Sequence, residues 1–363
     1  MKTRFLSTMF VLTACLFVSL IAGCEPENKA SAKAKSEDYR PELFLSLPQS
    51  CDTPDGMTMA PDGSIILACP NFNDEDNVGK LLRIDKDNNY EVYYTIPPAE
   101  GSTHARPMGL DFGPDGNLYV ADNQYFTDKD YKSRLLRIVI EDGKPVRREV
   151  AVDGFKLSNA VIWKGDDVFV SDTFFDLPDK PGASGIYKIN IKDMEKGTVK
   201  LKPNAKDERL IAQFVTIPNH RDDAAGADGL TIDSEGNLYT GMFGDGAMYK
   251  ITFNEDGSVK ENKLFVREPG LTCVDGIFYD EKRDVIIVTD SEKNAIHLVT
   301  TDGERTLLWE NGDTDGSDGL LDQPCEPIVR GDELIIANFD MPFPGLKNTE
   351  HDKYHTLSVI QLD

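Results

Sequence analysis

One unit recurs along this chain of 363 residues and limits what it can fold into. Its clearest copy is Ala225 to Ile251, AGADGLTIDSEGNLYTGMFGDGAMYKI. An apolar strand is led by Asp228. A tight turn follows at Ser234-Glu235-Gly236-Asn237, then a second strand from Leu238 to Gly241 and, after a loop, a third from Ala247. The unit returns near Asp55, Met108, Asn159, Asp275 and Glu326. A repeat of roughly 50 residues with this pattern is the signature of a β-propeller blade, a small sheet that buries its faces only by stacking on its neighbours. The strands are too short and too regularly spaced for a parallel α/β fold. After the N-terminus no long stretch has helical period.

Taken in order, blade one runs from Gly56 through the turn Pro61-Asp62-Gly63 to Thr95. Blade two runs from Gly109 through Pro114-Asp115-Gly116 to Val152. In both turns Pro fixes φ and Gly accepts positive φ, so each reads as a hairpin. Blade three begins at Asn159, blade four is the copy above plus Lys263 to Val266, and blade five spans Gly276 to Leu308. Blade six has three strands, the last at Thr356 to Leu362. It lacks a fourth of its own, and Glu42 to Leu47 is spare. The expectation is an all-β, six-bladed β-propeller over residues 42–363, with four-stranded blades and the ring closed by the N-terminal strand in the last blade. Three long loops, 190–206, 219–227 and 338–354, are candidate walls for a site.

The N-terminus reads as an address. Lys2 and Arg4 precede an apolar run from Phe5 to Leu20 that ends in Ile21-Ala22-Gly23-Cys24. This resembles a bacterial lipobox. The resemblance implies a signal peptide over 1–23, a lipid on Cys24, a flexible tether over 24–41, and a place in the bacterial cell envelope, anchored on the non-cytoplasmic side. An ordinary secretory signal or an uncleaved anchor is the alternative. Cys51, Cys69, Cys273 and Cys325 then remain for the exported protein. They permit disulfides in any of three pairings, or buried thiols. The formal net charge of −24 argues against nucleic acid and anionic lipid surfaces as partners and suits cation binding or plain solubility.

Aligned by apolar pattern, the six first strands are led by Asp55, Met108, Asn159, Asp228, Asp275 and Glu326. First strands line a propeller's central channel, so these positions face one axis. Four carboxylates converging there would raise one another's pKa values, and a divalent cation relieves that conflict. All-oxygen ligands suit a hard ion, calcium above magnesium because calcium tolerates irregular geometry. The bland alternative is that each Asp-Gly makes a strand-entry turn.

These residues carry a resemblance. The span from about Leu43 to Leu362 is similar to the family of gluconolactonase, regucalcin and luciferin-regenerating enzyme, with diisopropyl fluorophosphatase as a cousin. The resemblance implies a six-bladed propeller with a divalent metal, commonly calcium, at one end of the central tunnel. Ser158-Asn159 matches the family's blade-three Asn ligand. Ala227-Asp228-Gly229-Leu230 matches the later Asp ligand, and Asp233-x-Glu235-Gly236-Asn237-Leu238 follows as it does in the family. Asp55 stands where the family usually has Glu. Arg106 matches an Arg that touches substrate in relatives. Met108 departs from the pattern, because the family has Asn there and a thioether is a poor ligand for a hard cation.

The expected function is metal-dependent hydrolysis of a lactone, sugar-derived, by metal-activated water. Asp55, Asn159, Asp228, Asp275 and Glu326 would hold calcium or another divalent cation. Asp228 would also orient the water or act as base, and Arg106 and His104 would contact a small-molecule substrate at the mouth. There is no Gly-x-Ser-x-Gly elbow and no Ser-His-Asp set stands out, which favours this over acyl-enzyme chemistry. The alternative is a non-enzymatic binding propeller of the cell envelope, which the repeat also resembles. Asp122, Asp172 and Asp290 close second strands as VADN, VSDT and VTDS, a recurrence that reads as a structural turn contact. Asp313 to Asp318 (DTDGSD) hints at calcium, but its glycine is misplaced for an EF-hand and no Glu closes it. His220, just before Asp228, reads as a surface histidine that can overhang the site.

Overall fold

The computed structural model describes residues 37–267 and 270–363. The predicted signal segment, Cys24 and the tether up to residue 36 lie outside the described residues. A short 3-10 turn, Glu37–Tyr39, leads into strand β1 (Glu42–Ser46). Blade 1 is then β2 (Met57–Met59), β3 (Ile65–Cys69), β4 (Lys80–Ile84) and β5 (Tyr90–Thr95). Blade 2 is β6 (Pro107–Phe112), β7 (Leu118–Asp122), β8 (Ser133–Glu141) and β9 (Lys144–Phe155). Blade 3 holds β10 (Ser158–Lys164), β11 (Asp167–Asp172) and β12 (Ala183–Asn190). Helix α1 (Ile191–Met194) and strand β13 (Val199–Lys200) intervene before its last strand, β14 (Leu210–Val215). Blade 4 is β15 (Ala227–Ile232), β16 (Leu238–Met242), β17 (Met248–Phe253) and β18 (Val259–Val266). Blade 5 is β19 (Val274–Asp280), β20 (Val285–Asp290), β21 (Ala295–Thr300) and β22 (Arg305–Glu310). Blade 6 joins β23 (Pro324–Arg330), β24 (Glu333–Asn338) and β25 (Thr356–Gln361) to β1.

The ring closes as expected. Strand β1 runs antiparallel to β25, with Glu42 opposite Val359 and Ser46 opposite Thr356, so the first strand of the fold completes the last blade. Blade 2 differs from the expected four strands. Strand β13 adds to β9 in parallel, Val199 opposite Val152, and makes a fifth. The loop 190–206, expected as a wall of the site, instead carries α1 and β13. Asn190 caps α1 through its side chain, which accepts the Lys192 amide, and Ile191, Met194, Val199 and Leu201 join the apolar cluster between blades 2 and 3.

Burial follows position along the radius. The second strands β3, β7 and β16 are buried at every residue, which is why they read as continuous apolar runs rather than alternating ones. The outermost strands β5 and β18 are largely exposed. Each interface between neighbouring blades holds one apolar cluster. Ile66, Leu81 and Leu136 lie between blades 1 and 2, Phe169, Phe214 and Leu238 between blades 3 and 4, and Ile65, Leu67 and Ile335 between blades 6 and 1. The core is thus a ring of interfaces, and the innermost strands surround a tunnel.

Candidate functional site

The innermost strands are aimed at the tunnel by a repeated break in register. In β10 the pairing with β11 jumps from Ser158–Asp172 to Val161–Val170, leaving Asn159 and Ala160 out of the ladder. The same two-residue break falls at Met108-Gly109, Asp228-Gly229 and Asp275-Gly276. A break of this kind re-aims one side chain, here the leading residue of each pair, toward the axis. Most of the second residues are glycine because the next blade's backbone comes very close. A Cβ on Gly109 would stand 2.6 Å from the carbonyl oxygen of Asn159. At Gly56, Gly229 and Gly276 it would collide with the carbonyls of Met108, Asp275 and Cys325. The glycine therefore serves ring packing and the residue before it serves the site.

In blade 6 the break runs from Pro324–Asn338 to Pro327–Ile336 and leaves Cys325 and Glu326 unpaired. By register, Cys325 stands in the column and Glu326 stands where the other blades have glycine. The Cys325 thiol donates to the carbonyls of Pro54 and Ala337. Glu326 lines a separate cavity at the other mouth of the tunnel, beside Thr58, Asp111 and Thr231, yet remains close enough to raise Asp228 electrostatically. Glu326, expected in the column because it directly precedes the apolar run Pro327 to Val329, therefore stands one residue beyond it.

Asp55, Met108, Asn159, Asp228 and Asp275 line one cavity of about 250 Å³. Asn159 Nδ2 donates to Asp228 Oδ1 at 2.8 Å, and Ser291 Oγ donates to Asp275 Oδ2 at 3.0 Å. Burial and the neighbouring Asp275 push Asp55 up to about 8. Burial, then Asp275 and Asp55, hold Asp228 well above the usual carboxylate range, and burial likewise raises Asp275. No described cation enters this group, so its carboxyls hold protons or a metal. The donors are all oxygen, from three carboxyls and one amide, which is the chemistry a hard divalent ion takes.

The walls are largely aromatic: Tyr125, Phe126, Phe174, Phe243, Phe339 and Phe343. Tyr125 and Phe174 stack with ring centroids 4.7 Å apart. The loops 219–227 and 338–354, expected as walls, supply Asp223 and Ala225, and Phe339 and Phe343. Arg221 is buried behind Phe243 and ion-pairs with Asp223 and Glu292, which fixes the Asp223 carboxylate at the rim. His220 is exposed and pairs with Glu292.

Arg106 and His104 are not among the residues lining this cavity. Arg106 is buried, donates to the carbonyls of Pro70 and Asn71, and lies over the Phe72 ring. His104 faces the Glu75 carbonyl and the Thr103 hydroxyl. Asp122, Asp172 and Asp290 act within the fold. Their carboxylates accept the backbone N–H groups of Arg106, Leu157 and Thr272, on the segments entering the inner strands. The residues after them are the ones that sequence reasoning missed. Asn123 and Thr173 line the cavity, and Ser291 holds Asp275. The signal was present in VADN, VSDT and VTDS, where a polar residue follows each Asp. Asn123 is buried with its Nδ2 lacking a hydrogen-bond partner among the described residues.

Comparison with known proteins agrees with this architecture. A gluconolactonase structure from Xanthomonas campestris superposes with a TM-score of 0.55 at 12% identity, covering 92% of this chain and 93% of that one. A calcium-binding regucalcin from Agrobacterium tumefaciens gives a TM-score of 0.55 at 14% identity, over 89% and 93% of the two chains. An uncharacterised protein of Sulfolobus acidocaldarius is 27% identical over 133 residues, which span 37% of this chain and 40% of that protein. Residues 79–274, more than half of the sequence, match the SMP-30/Gluconolactonase/LRE-like region, and the chain belongs to that family.

Proposed function

We propose that this protein hydrolyses a lactone at the carboxyl-lined end of its tunnel, using a divalent ion of the calcium class. The observation that carries the reading is the convergence of Asp55, Asn159, Asp228 and Asp275 on one aromatic-walled cavity. These four would hold the ion, which when bound supplies Lewis acidity toward a carbonyl and lowers the pKa of water. Asp228, next to Asn159 and facing the cavity, accepts the proton of the attacking water and returns it to the ring oxygen as the acyl C–O bond breaks. The free Nδ2 of Asn123 donates to the oxygen that gains charge as the ring opens. The aromatic wall excludes bulk water and offers a flat apolar surface to the C–H face of a sugar-derived ring, while Thr173 and Asp223 meet its hydroxyls.

The first test is the hydrolysis of glucono-lactone followed by acid release. Activity should vanish with excess chelator, return with calcium, and fall at least ~100-fold in Asp228→Asn. Turnover unaffected by chelation would overturn the reading. Met108 in the column favours a second reading, a propeller that binds its ligand without turnover. In that case a lactone would protect the protein against melting and no acid would be released.

We propose further that Cys24 carries the lipid that tethers the propeller to an envelope membrane on the non-cytoplasmic side. The residues Ile21-Ala22-Gly23-Cys24 support this. Cys24→Ala should move the protein from the membrane to the soluble fraction, and unchanged partitioning would refute the anchor.

A further inference from the structure

A second group of carboxyls lies away from the tunnel. Asp322 precedes β23, and Asp340 and Asp352 belong to the long loop between β24 and β25. One carboxylate oxygen from each lies within 4.8 Å of the others. Asp322 is 1% exposed, and neither of its carboxylate oxygens has a hydrogen-bond partner among the described residues. Leaving such a group unmet costs about 1–3 kcal/mol even when it is neutral, and more when it is charged. The strongest charges around it are all negative: Asp340, Asp352, Asp313 and Asp315. Together with burial they push its carboxyl up to about 9.

The surroundings are built to hold this arrangement. Asp340 Oδ1 accepts Asn348 Nδ2 at 3.1 Å, and Oδ2 accepts the Asp352 amide at 2.9 Å. The backbone N–H of Asp322 is tied to Asn338 Oδ1 at 3.1 Å. The turn 313–318 closes over the group. Thr349 Oγ1 donates to Asp313 Oδ2 at 2.6 Å, and Gly316, at φ +64°, brings the turn against Asp322. The Asp340 carboxylate is thus held at both oxygens, Asp322 and Asp352 are held through their backbone N–H groups, and a carboxylate oxygen of the unpartnered Asp322 lies within 4.8 Å of one from each of the other two.

We propose that Asp322, Asp340 and Asp352 form a second calcium site, separate from the tunnel. Ca–O bonds of about 2.4 Å let one ion bridge oxygens up to about 4.8 Å apart. Three carboxylates with water completing the shell match that ion's hard, irregular coordination. The ion ties the segment entering β23 to the loop 338–354. That loop also carries Phe339 and Phe343, which wall the tunnel cavity, so occupancy holds one side of the cavity in place.

The test is a calorimetric calcium titration of the purified full chain, with melting in calcium and in chelator. Wild type should take up two ions. Asp322→Asn and Asp352→Asn should each take up one, as should Asp228→Asn. Calcium should raise the melting temperature of Asp228→Asn, and lose that effect when Asp352→Asn is added. If Asp322→Asn fails to fold, Asp352→Asn in the partly exposed loop decides the matter. A folded Asp352→Asn that keeps the wild-type stoichiometry overturns the site. So does a wild type whose only ion is lost in Asp228→Asn, which would leave the cluster holding protons alone. Retention of two ions in Asp228→Asn with loss of one in Asp352→Asn would keep this site and count against the tunnel ion instead.

Discussion

At the scale of single residues, the tunnel carboxyls set a pH dependence whose sign can be worked out. Asp55 is pushed up to about 8 from an ordinary value of 3.8, chiefly by burial and then by Asp275. A carboxyl raised in the fold binds its proton more tightly when folded than unfolded. The metal-free protein therefore loses stability as pH rises from about 4 toward 8, as buried carboxyls are forced to ionise. A cation reverses the preference by displacing those protons. Apparent calcium affinity at the tunnel should rise by about tenfold per pH unit for each proton displaced, between pH 6 and 8. Titrations in two buffers of different ionisation enthalpy read the proton release directly. A binding constant flat across that window in a chain carrying Asp352→Asn would remove the ring as the site. The column itself was legible in sequence at Asp55, Asn159, Asp228 and Asp275, because each leads an apolar run. Cys325 was not, because Glu326 is the residue that directly leads the apolar run Pro327 to Val329, and only the strand register separates the two.

At the scale of the blade, two devices recur and one is replaced. The glycine after the column residue lets neighbouring inner strands touch. Gly276→Ala would drive a methyl into the Cys325 carbonyl and should cost about 1–3 kcal/mol, visible as a lower melting temperature at constant pH. An unchanged melt would mean the inner strands can part freely. The second device is the last residue of the second strand, which in every blade but the fourth, where it is Met242, grips the segment entering the first. Asp122, Asp172 and Asp290 do so with carboxylates, and Asn338 does so with its amide oxygen on the Asp322 N–H. In blade 1 that place belongs to Cys69, and its grip is covalent: the Cys51–Cys69 disulfide, with Cα atoms 5.2 Å apart. Cys273 and Cys325 stay free and buried. The pairing was open in sequence because spacing alone cannot choose among four cysteines, yet the alignment of Cys69 with Asp122 and Asp172 holds the answer. Closing a loop of this length is worth roughly 3 kcal/mol, so Cys51→Ala with Cys69→Ala should lower unfolding stability by about that amount in denaturant titration. Loss of calcium binding without loss of stability would point to a role in shaping the tunnel instead.

At the scale of the whole molecule, stability depends on the ring being closed, because its apolar clusters lie between blades and none lies within a single sheet. Periodicity revealed this much: the count of blades and the spare strand at Glu42 follow from the repeat, whereas α1 and β13 in the loop 190–206 do not, being a local insertion outside the repeat. Strand β1 is itself poorly buried, so its contribution is less apolar area than pairing and protection. It covers the edge of β25, and Phe44 and Leu45 pack on the cluster between blades 6 and 1. Removing residues 37–46 would forfeit the β1–β25 hydrogen bonds, about 1 kcal/mol each, and leave an open strand edge beside an uncovered cluster. The truncated chain should melt lower and less cooperatively than the full one, and it should form larger species on size exclusion as exposed edges pair between molecules. Adding back a peptide of sequence PELFLSL (41–47) should restore part of the melting temperature by refilling the vacant place in blade 6. A truncated chain that stays monomeric and melts as the full one does would mean that three strands suffice for the last blade, and that the N-terminal strand is not what closes the ring.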